Sequence, residues 1–273
     1  MIQFTVEFFG VRGSTATNSS DKMEYGCNTS CVLVTAGEQH IILDMGTGIV
    51  SLGNFFIRQG LCDASVLLGH FHYDHIEGFP FFQPFYKEGS YRIYGRPRDG
   101  KSVRELLEGY MRQPYFPVTS EIFGADVTFY DLSETAEFTI GELLTVKAIE
   151  SCHPGGATAY KLTLGGRSLV YLTDYEHGSP REQAITEFCN GAHMLIYDAN
   201  FTQKEYDKGR YSGWGHSTCE AGVTLAKNAG VDKLVLTHHA SKRTDDEIKE
   251  LGQELQGLYP RVIMAKEGLI LSI

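Results

Sequence analysis

The segment His70-Phe-His-Tyr-Asp-His75 sets four side chains that can bind metal or carry a proton within six positions of a 273-residue chain. It follows the apolar run Ser65-Val-Leu-Leu68, so His70, His72 and Asp74 alternate onto one side as the chain leaves a strand. Imidazole and carboxylate together suit zinc, iron or manganese. No Cys lies in the cluster, which argues against a closed structural zinc knuckle. A solvated His-rich turn would not need an apolar strand running straight into it.

The same arrangement recurs downstream. Ile41-Ile-Leu43 stops at Asp44, Leu169-Val-Tyr-Leu172 passes through Thr173 to Asp174, Met194-Leu-Ile-Tyr197 stops at Asp198, and Leu234-Val-Leu236 passes through Thr237 to His238 and His239. One strand-end Asp is ordinarily a cap or turn residue. Polar groups at all these strand ends, together with His70, point instead to one crevice outside the carboxyl ends of the strands in an α/β architecture. His70, His72, Asp74 and His75 with His153, Asp174 and His238 are too many ligands for one tetrahedral ion. They are right for two divalent ions sharing a carboxylate, zinc first, with manganese or iron as alternatives.

The expected partition gives His70, His72 and His153 to one ion and Asp74, His75 and His238 to the other, with Asp174 as the bridge. A pair of ions activates water, so the natural reaction is hydrolysis, with Asp74 also orienting or deprotonating that water. His216 lies in Gly213-Trp-Gly-His-Ser-Thr-Cys-Glu-Ala-Gly222, just before a helix. It is expected as the acid for the leaving group or as a clamp on a developing oxyanion. His239 is expected to support its ligand neighbour from behind. His40, His177 and His193 read as surface or satisfied structural histidines.

The elements that must position these groups follow from periodicity and turn chemistry. The first third reads as strands over Phe4 to Phe9, Cys31 to Thr35 and Ile41 to Leu43, broken by glycine turns, followed by a helix over Ile49 to Gln59. Further helices are expected over Lys101 to Arg112, Arg181 to Cys189, Thr218 to Ala229 and Asp245 to Gln256. Strands are expected over Val127 to Tyr130 and Leu143 to Ile149, and a hairpin joins Ala159 to Leu164 with Leu169 to Thr173 through Gly165-Gly166. Two mixed sheets packed face to face with helices outside is the simplest layered solution. The pocket wall is expected from Phe79 to Tyr86 and Tyr110 to Phe123.

A hydrophobic content of 42% with no low-complexity stretch or linker fits one ordinary globular domain over 1–273. The net charge of −10 disfavours a long nucleic acid, because phosphate-backbone binding draws its affinity from Lys and Arg. Arg92, Arg96, Arg98, Lys101 and Arg104 read as a solvated helix entrance. No run is long enough to cross a bilayer, and the start lacks the pattern of a signal peptide. Cys27, Cys31, Cys62, Cys152, Cys189 and Cys219 show no CxxC spacing, so a cytoplasmic protein with free thiols is expected. A homodimer is left open.

These residues resemble the metallo-β-lactamase-fold hydrolases: His70-x-His-x-Asp-His75, then His153, Asp174 and His238, follow that superfamily's order. Phe9-Gly-Val-Arg-Gly-Ser14, Asn28-Thr-Ser-Cys31, Leu43-Asp-Met-Gly-Thr-Gly48, His216-Ser-Thr218 and Leu236-Thr-His-His239 look like its branch of transfer-RNA 3′-processing ribonucleases and small phosphodiesterases. The resemblance covers nearly the whole chain and implies a four-layer αββα sandwich, α/β in class, with the site at one edge of the two sheets. It implies the metal roles given above and, for His216, assistance to phosphodiester cleavage. The processing ribonucleases usually carry a long arm that grips transfer RNA, commonly between the third His and the bridging Asp. Here His153 and Asp174 are only 21 positions apart. A small phosphodiester, such as a cyclic nucleotide or a ribose cyclic phosphate, is therefore the expected substrate. Alternatives are thioester, lactone or lactam hydrolysis on the same fold, and a diiron oxygen sensor or reductase. Against the last, flavodiiron proteins usually carry Glu where this chain has His72, and no flavodoxin-like domain is appended.

Overall fold

The computed structural model describes residues 2–273. Its first half runs β1 (Phe4–Gly10), β2 (Arg12–Gly13), β3 (Cys31–Ala36), β4 (Gln39–Leu43), α1 (Ile49–Gln59), β5 (Asp63–Leu67), α2 (Tyr73–Ile76), β6 (Ser90–Gly95), α3 (Val103–Tyr110) and β7 (Asp126–Asp131). The second half continues with β8 (Thr135–Ile140), β9 (Leu144–Ser151), β10 (Ala157–Leu164), β11 (Arg167–Leu172), α4 (Glu182–Cys189), β12 (Met194–Asp198) and α5 (Gln203–Lys208). It closes with α6 (Cys219–Asn228), β13 (Lys233–Thr237), β14 (His239–Ala240), α7 (Asp245–Leu258), β15 (Val262–Met264) and β16 (Ile270–Ser272).

Two seven-stranded sheets form, ordered β16-β1-β3-β4-β5-β6-β7 and β15-β13-β12-β11-β10-β9-β8. Both are mixed. In the first, pairing is antiparallel up to β4 and parallel from β4 through β7. In the second, β8 to β11 pair antiparallel, and β11, β12, β13 and β15 are parallel. Parallel strands point their carboxyl ends the same way, so each sheet presents a row of strand ends on one edge.

Burial follows the layers. Val6, Phe8, Val34, Ile41 and Leu43 of the first sheet meet Val146, Tyr160, Leu162, Tyr171 and Ile196 of the second in one central core. Strand β1 alternates buried and half-buried residues, as a strand with one buried face should. Helix α1 covers the first sheet with Ile49, Leu52 and Phe56, at three- and four-residue spacing, and ends where Gly60 turns left-handed. Helices α4, α6 and α7 cover the second sheet through Ile185, Val223 and Leu251. The result is the expected αββα sandwich.

Some expected boundaries move. Helix α3 is shorter than Lys101 to Arg112, because Ser102 and Glu105 form a reciprocal capping box that starts it at Val103. Phe79, Phe82 and Phe85 do not line a pocket; all three are fully buried in the core outside the first sheet. The basic cluster is not simply solvated: Arg96 and Arg98 both pair with Glu150, Arg92 pairs with Asp63, and Arg104 lies over the Phe129 ring.

Candidate metal centre

The site lies where the two rows of strand ends meet. From the first sheet, Asp44 follows β4, and His70, His72, Asp74 and His75 follow β5. From the second, His153 follows β9, Asp174 follows β11, Asp198 ends β12 and His238 follows β13. Ser14 (φ 66°), Asp44 (φ 62°), Asp174 (φ 55°) and His238 (φ 60°) all have left-handed backbone; Asp99 is the one other non-glycine residue to do so among those described. Each such turn costs about 1–2 kcal/mol and persists where surrounding structure enforces it. At Asp174 and His238 this backbone turns the side chain off the strand end toward the gathered donor atoms.

The early glycine motif closes one side. Arg12 is fully buried, its guanidinium donating to the carbonyls of Gly26 and Arg243 at 2.7 Å each. That anchor holds β2 beside β14 and brings the Ser14 N–H within 2.7 Å of Asp74 Oδ2. A Cβ on Gly13 would strike the His238 ring, which is why the motif carries glycine there.

Donor atoms gather in two sets joined by one carboxylate. His70, His72 and His153 form the first, with His153 Nε2 3.1 Å from His72 Nδ1. Asp74, His75 and His238 form the second, where Asp74 Oδ2 is 3.1 Å from His238 Nε2 and 3.4 Å from His75 Nε2. Asp174 stands between them. Its Oδ1 is 3.8 Å from both His70 Nε2 and His153 Nε2, while its Oδ2 is 3.0 Å from His75 Nε2 and 3.5 Å from His238 Nε2. All seven residues expected from the sequence are thus brought together.

Several residues act on these from behind. Asp44, fully buried, accepts from Gly69 N–H at 2.6 Å, the Tyr171 hydroxyl at 2.6 Å and His75 Nδ1 at 2.7 Å, turning His75 Nε2 toward the centre. His153 Nδ1 donates to the Gly215 carbonyl at 2.7 Å, which likewise leaves Nε2 inward. His216 Nδ1 is 2.9 Å from Asp198 Oδ2, and Asp198 also receives the Asp174 N–H at 3.1 Å. The strand-end pattern had marked Asp44 and Asp198 without assigning them a partner. Ser14 acts through its backbone, which no side-chain pattern signals. His239 does not support His238 directly: its Nε2 bonds to the Ala265 carbonyl at 2.9 Å and its N–H to Val11, so it secures the β2–β14 ladder. His177 and His193 are satisfied by Ser217 and the Ser168 N–H, and His40 packs on Phe56.

The donor chemistry fits cations. Asp44, Asp74, Asp174 and Asp198 are all buried, and among the described residues their ionic partners are histidines, with no Lys or Arg. Both ring nitrogens of His70 and Asp174 Oδ2 are buried without a hydrogen bond. Orphaned donor atoms around uncompensated carboxylates are costly unless a positive charge joins them. The protein alone answers by drawing protons onto imidazole. Burial would lower His238, yet Asp174 and Asp74 raise it to about 9. At His216 burial also acts downward, and Asp198 outweighs it, so its value is raised. Burial pushes Asp74 upward, but His75 and His238 prevail and hold it far below the usual carboxylate range. His70 is pushed well down by burial and then by His75, which outweigh the upward pull of Asp174.

A cavity of about 510 Å³ opens over the centre, lined by Ser14, Phe71, His72, Tyr73, Asp74, Asp174 and His216. His216 therefore faces the same space as Asp174 and Asp74, with Nδ1 already engaged.

Residues 41–239 match the family model of the beta-lactamase superfamily domain. Across 99% of its length the chain is 32% identical to a ribonuclease Z of Methanopyrus kandleri, covering 98% of that protein. It is 26% identical to the probable metallo-hydrolase YhfI of Bacillus subtilis over 89% of the chain and 91% of the relative. The crystal structure of YhfI superposes over the whole of both chains with a TM-score of 0.74 at 21% identity. A diphosphatase of the PhnP family superposes at 0.74 over 99% of this chain and 98% of its own, at 16% identity. The alignment with the ribonuclease spans 315 positions, more than the chain has residues, so that relative carries segments absent here; the YhfI alignment spans 256.

Proposed function

The chain belongs to the beta-lactamase superfamily and is a metal-dependent hydrolase, and from that premise we propose that it is a two-ion phosphodiesterase acting on a small phosphodiester. The observation that carries this reading is Asp174, whose two oxygens face different donor sets. In this reading His70, His72 and His153 hold one ion, Asp74, His75 and His238 the other, and Asp174 both. Zinc is the first choice on donor type, with manganese or iron open to the same ligands. Two divalent ions so held would polarise the phosphoryl oxygens and lower the pKa of a water between them toward about 7.

The chain's own groups supply the rest. Asp74, held in place by the Ser14 N–H, lines the cavity over the centre, and its role is to orient or deprotonate the attacking water. As water oxygen attacks phosphorus and the bond to the leaving oxygen breaks, the leaving oxygen needs a proton. His216, oriented through Nδ1 by Asp198, whose carboxylate favours its protonated form, donates from Nε2. A small substrate is favoured over a long one by three features. The whole span between His153 and Asp174 is taken up by the β10–β11 hairpin, the ribonuclease relative is longer, and the net charge is −10. Six free cysteines and the absence, among the described residues, of a helix able to cross a membrane agree with the cytoplasmic placement proposed here.

The test is hydrolysis of bis(p-nitrophenyl) phosphate and of 2′,3′- and 3′,5′-cyclic nucleotides by protein reconstituted with zinc, manganese or iron. Turnover should vanish in Asp74→Ala and fall by about 10²–10⁴ in His216→Ala. Because the working form of His216 is the protonated one, wild-type activity should decline as pH rises through its raised pKa, and that alkaline limb should be missing from His216→Ala. Two bound ions with no turnover on any phosphodiester would overturn the reading in favour of another ester class or oxygen chemistry.

A further inference from the structure

Beside the cavity over the metal centre lies a second cleft of about 680 Å³, within the range of small-ligand pockets. The two spaces share Ser14, Phe71 and Tyr73, so the cleft adjoins the cavity over the centre. Tyr73 is the residue between His72 and Asp74, so the ligand run itself fixes where its ring stands. From the cleft onward the lining includes Leu106, Tyr110, Tyr115 and Glu77.

We propose that this cleft seats a nucleobase, which makes the substrate a nucleoside phosphodiester rather than a base-free sugar phosphodiester; the inference rests on the phosphodiesterase reading above. Tyr73 and Tyr115, 72% and 75% exposed, both line the cleft, so their rings are open to a planar ligand. Tyr73 and Tyr110 stand with ring centroids 6.1 Å apart and tilted by 43°. Rings with free faces take any base, because every base has a π-face. Charge narrows the choice further. The lining holds no Lys or Arg and one carboxylate, Glu77, so a second phosphate is repelled while the N–H edge of a base finds an acceptor. An acyl chain would call for branched aliphatic walls; here Ile76 and Leu106 are outnumbered by Phe71, Tyr73, Tyr110 and Tyr115, three of which carry hydroxyls.

The test separates the base seat from turnover. Calorimetry on the zinc-loaded protein compares adenosine 5′-monophosphate with methyl β-riboside 5-phosphate, in which a methoxy group replaces the base on the same fixed sugar. The monophosphate should bind about 5- to 150-fold more tightly, the range of a single base stack. Tyr73→Ala and Tyr115→Ala should each erase much of that ratio, and Tyr73→Phe should keep it. Tyr115→Ala lies outside the ligand run and serves if Tyr73→Ala fails to load metal. In parallel, kcat/KM for adenosine 2′,3′-cyclic phosphate should exceed that for a methyl riboside 2′,3′-cyclic phosphate by a similar ratio, which collapses in the same variants. Equal binding of the two monophosphates by the wild type overturns the base seat, whatever the turnover. A binding preference without hydrolysis of either cyclic phosphate sinks the phosphodiesterase reading and leaves the base seat supported.

Discussion

Asp44 touches none of the space above the centre, yet three donors converge on it in full burial, and through His75 it decides which ring nitrogen faces inward. Replacing it by Asn keeps the shape and turns an NH2 toward one of those donors. Asp44→Asn should weaken metal affinity about 10- to 100-fold, and leaving a buried donor unpaired should cost about 1–3 kcal/mol of stability. Chelator competition and denaturant unfolding measure the two effects; unchanged ion affinity would mean that Asp44 only packs. The seven proposed ligands were legible because their residue types sit at the ends of apolar strands. The role of Asp44 was not, since its partners come from beyond β5 (Gly69 and His75) and from β11 of the other sheet (Tyr171). Nor was Ser14, whose useful atom is a backbone N–H that every residue type but proline would offer.

Among the elements, the loop between α5 and α6 is tied down by one carboxylate. Glu176 Oε1 accepts from Gly213 N–H at 2.7 Å, Tyr206 at 3.3 Å and Ser212 at 3.4 Å, and Oε2 accepts from Gly215 N–H at 2.9 Å. Burial pushes Glu176 upward, but these donors prevail and lower it. Gly215, which could not carry a Cβ without striking His153 and Pro154, passes the restraint on through its carbonyl to His153 Nδ1. Glu176→Ala should therefore speed amide exchange over residues 209–215 and weaken one of the two ions selectively in a chelator titration. Equal weakening of both ions, or exchange as slow as in the wild type, would show that the loop is held by other means. Helix α1 coincides with its expected span because its apolar spacing and Gly60 agree. Strand β8 escaped notice as a half-exposed edge strand, and β15 and β16, three residues each, exist only through their pairing with β13 and β1. Helix α5 is six residues long with none buried, so its pattern carries no hydrophobic period.

At the scale of the molecule, the proposed ligands divide between the sheets: His70, His72, Asp74 and His75 from the first, His153, Asp174 and His238 from the second. Each donor set draws on both, so bound ions would cross-link the two halves. Ions at about 100 times their Kd should add about 2.7 kcal/mol per site, raising Tm by roughly 5–10 °C per site in a chain of this size. Thermal unfolding with and without chelator checks this, and a Tm indifferent to chelator would deny the cross-link. The layered architecture was readable from the grouping of strands and helices. The aromatic wall beside the centre was readable only in part: Tyr110 and Tyr115 fall in the expected Tyr110 to Phe123 segment, whereas Phe79, Phe82 and Phe85 go to the core and Phe71 and Tyr73 to the cleft, a sorting made only by packing. The chain contains one tryptophan, Trp214, 58% exposed on the loop that joins Glu176 to His153. Its indole emission has no competing indole background, so restraint of this loop as the His153 side fills should be readable as a change in the emission of the unlabelled protein.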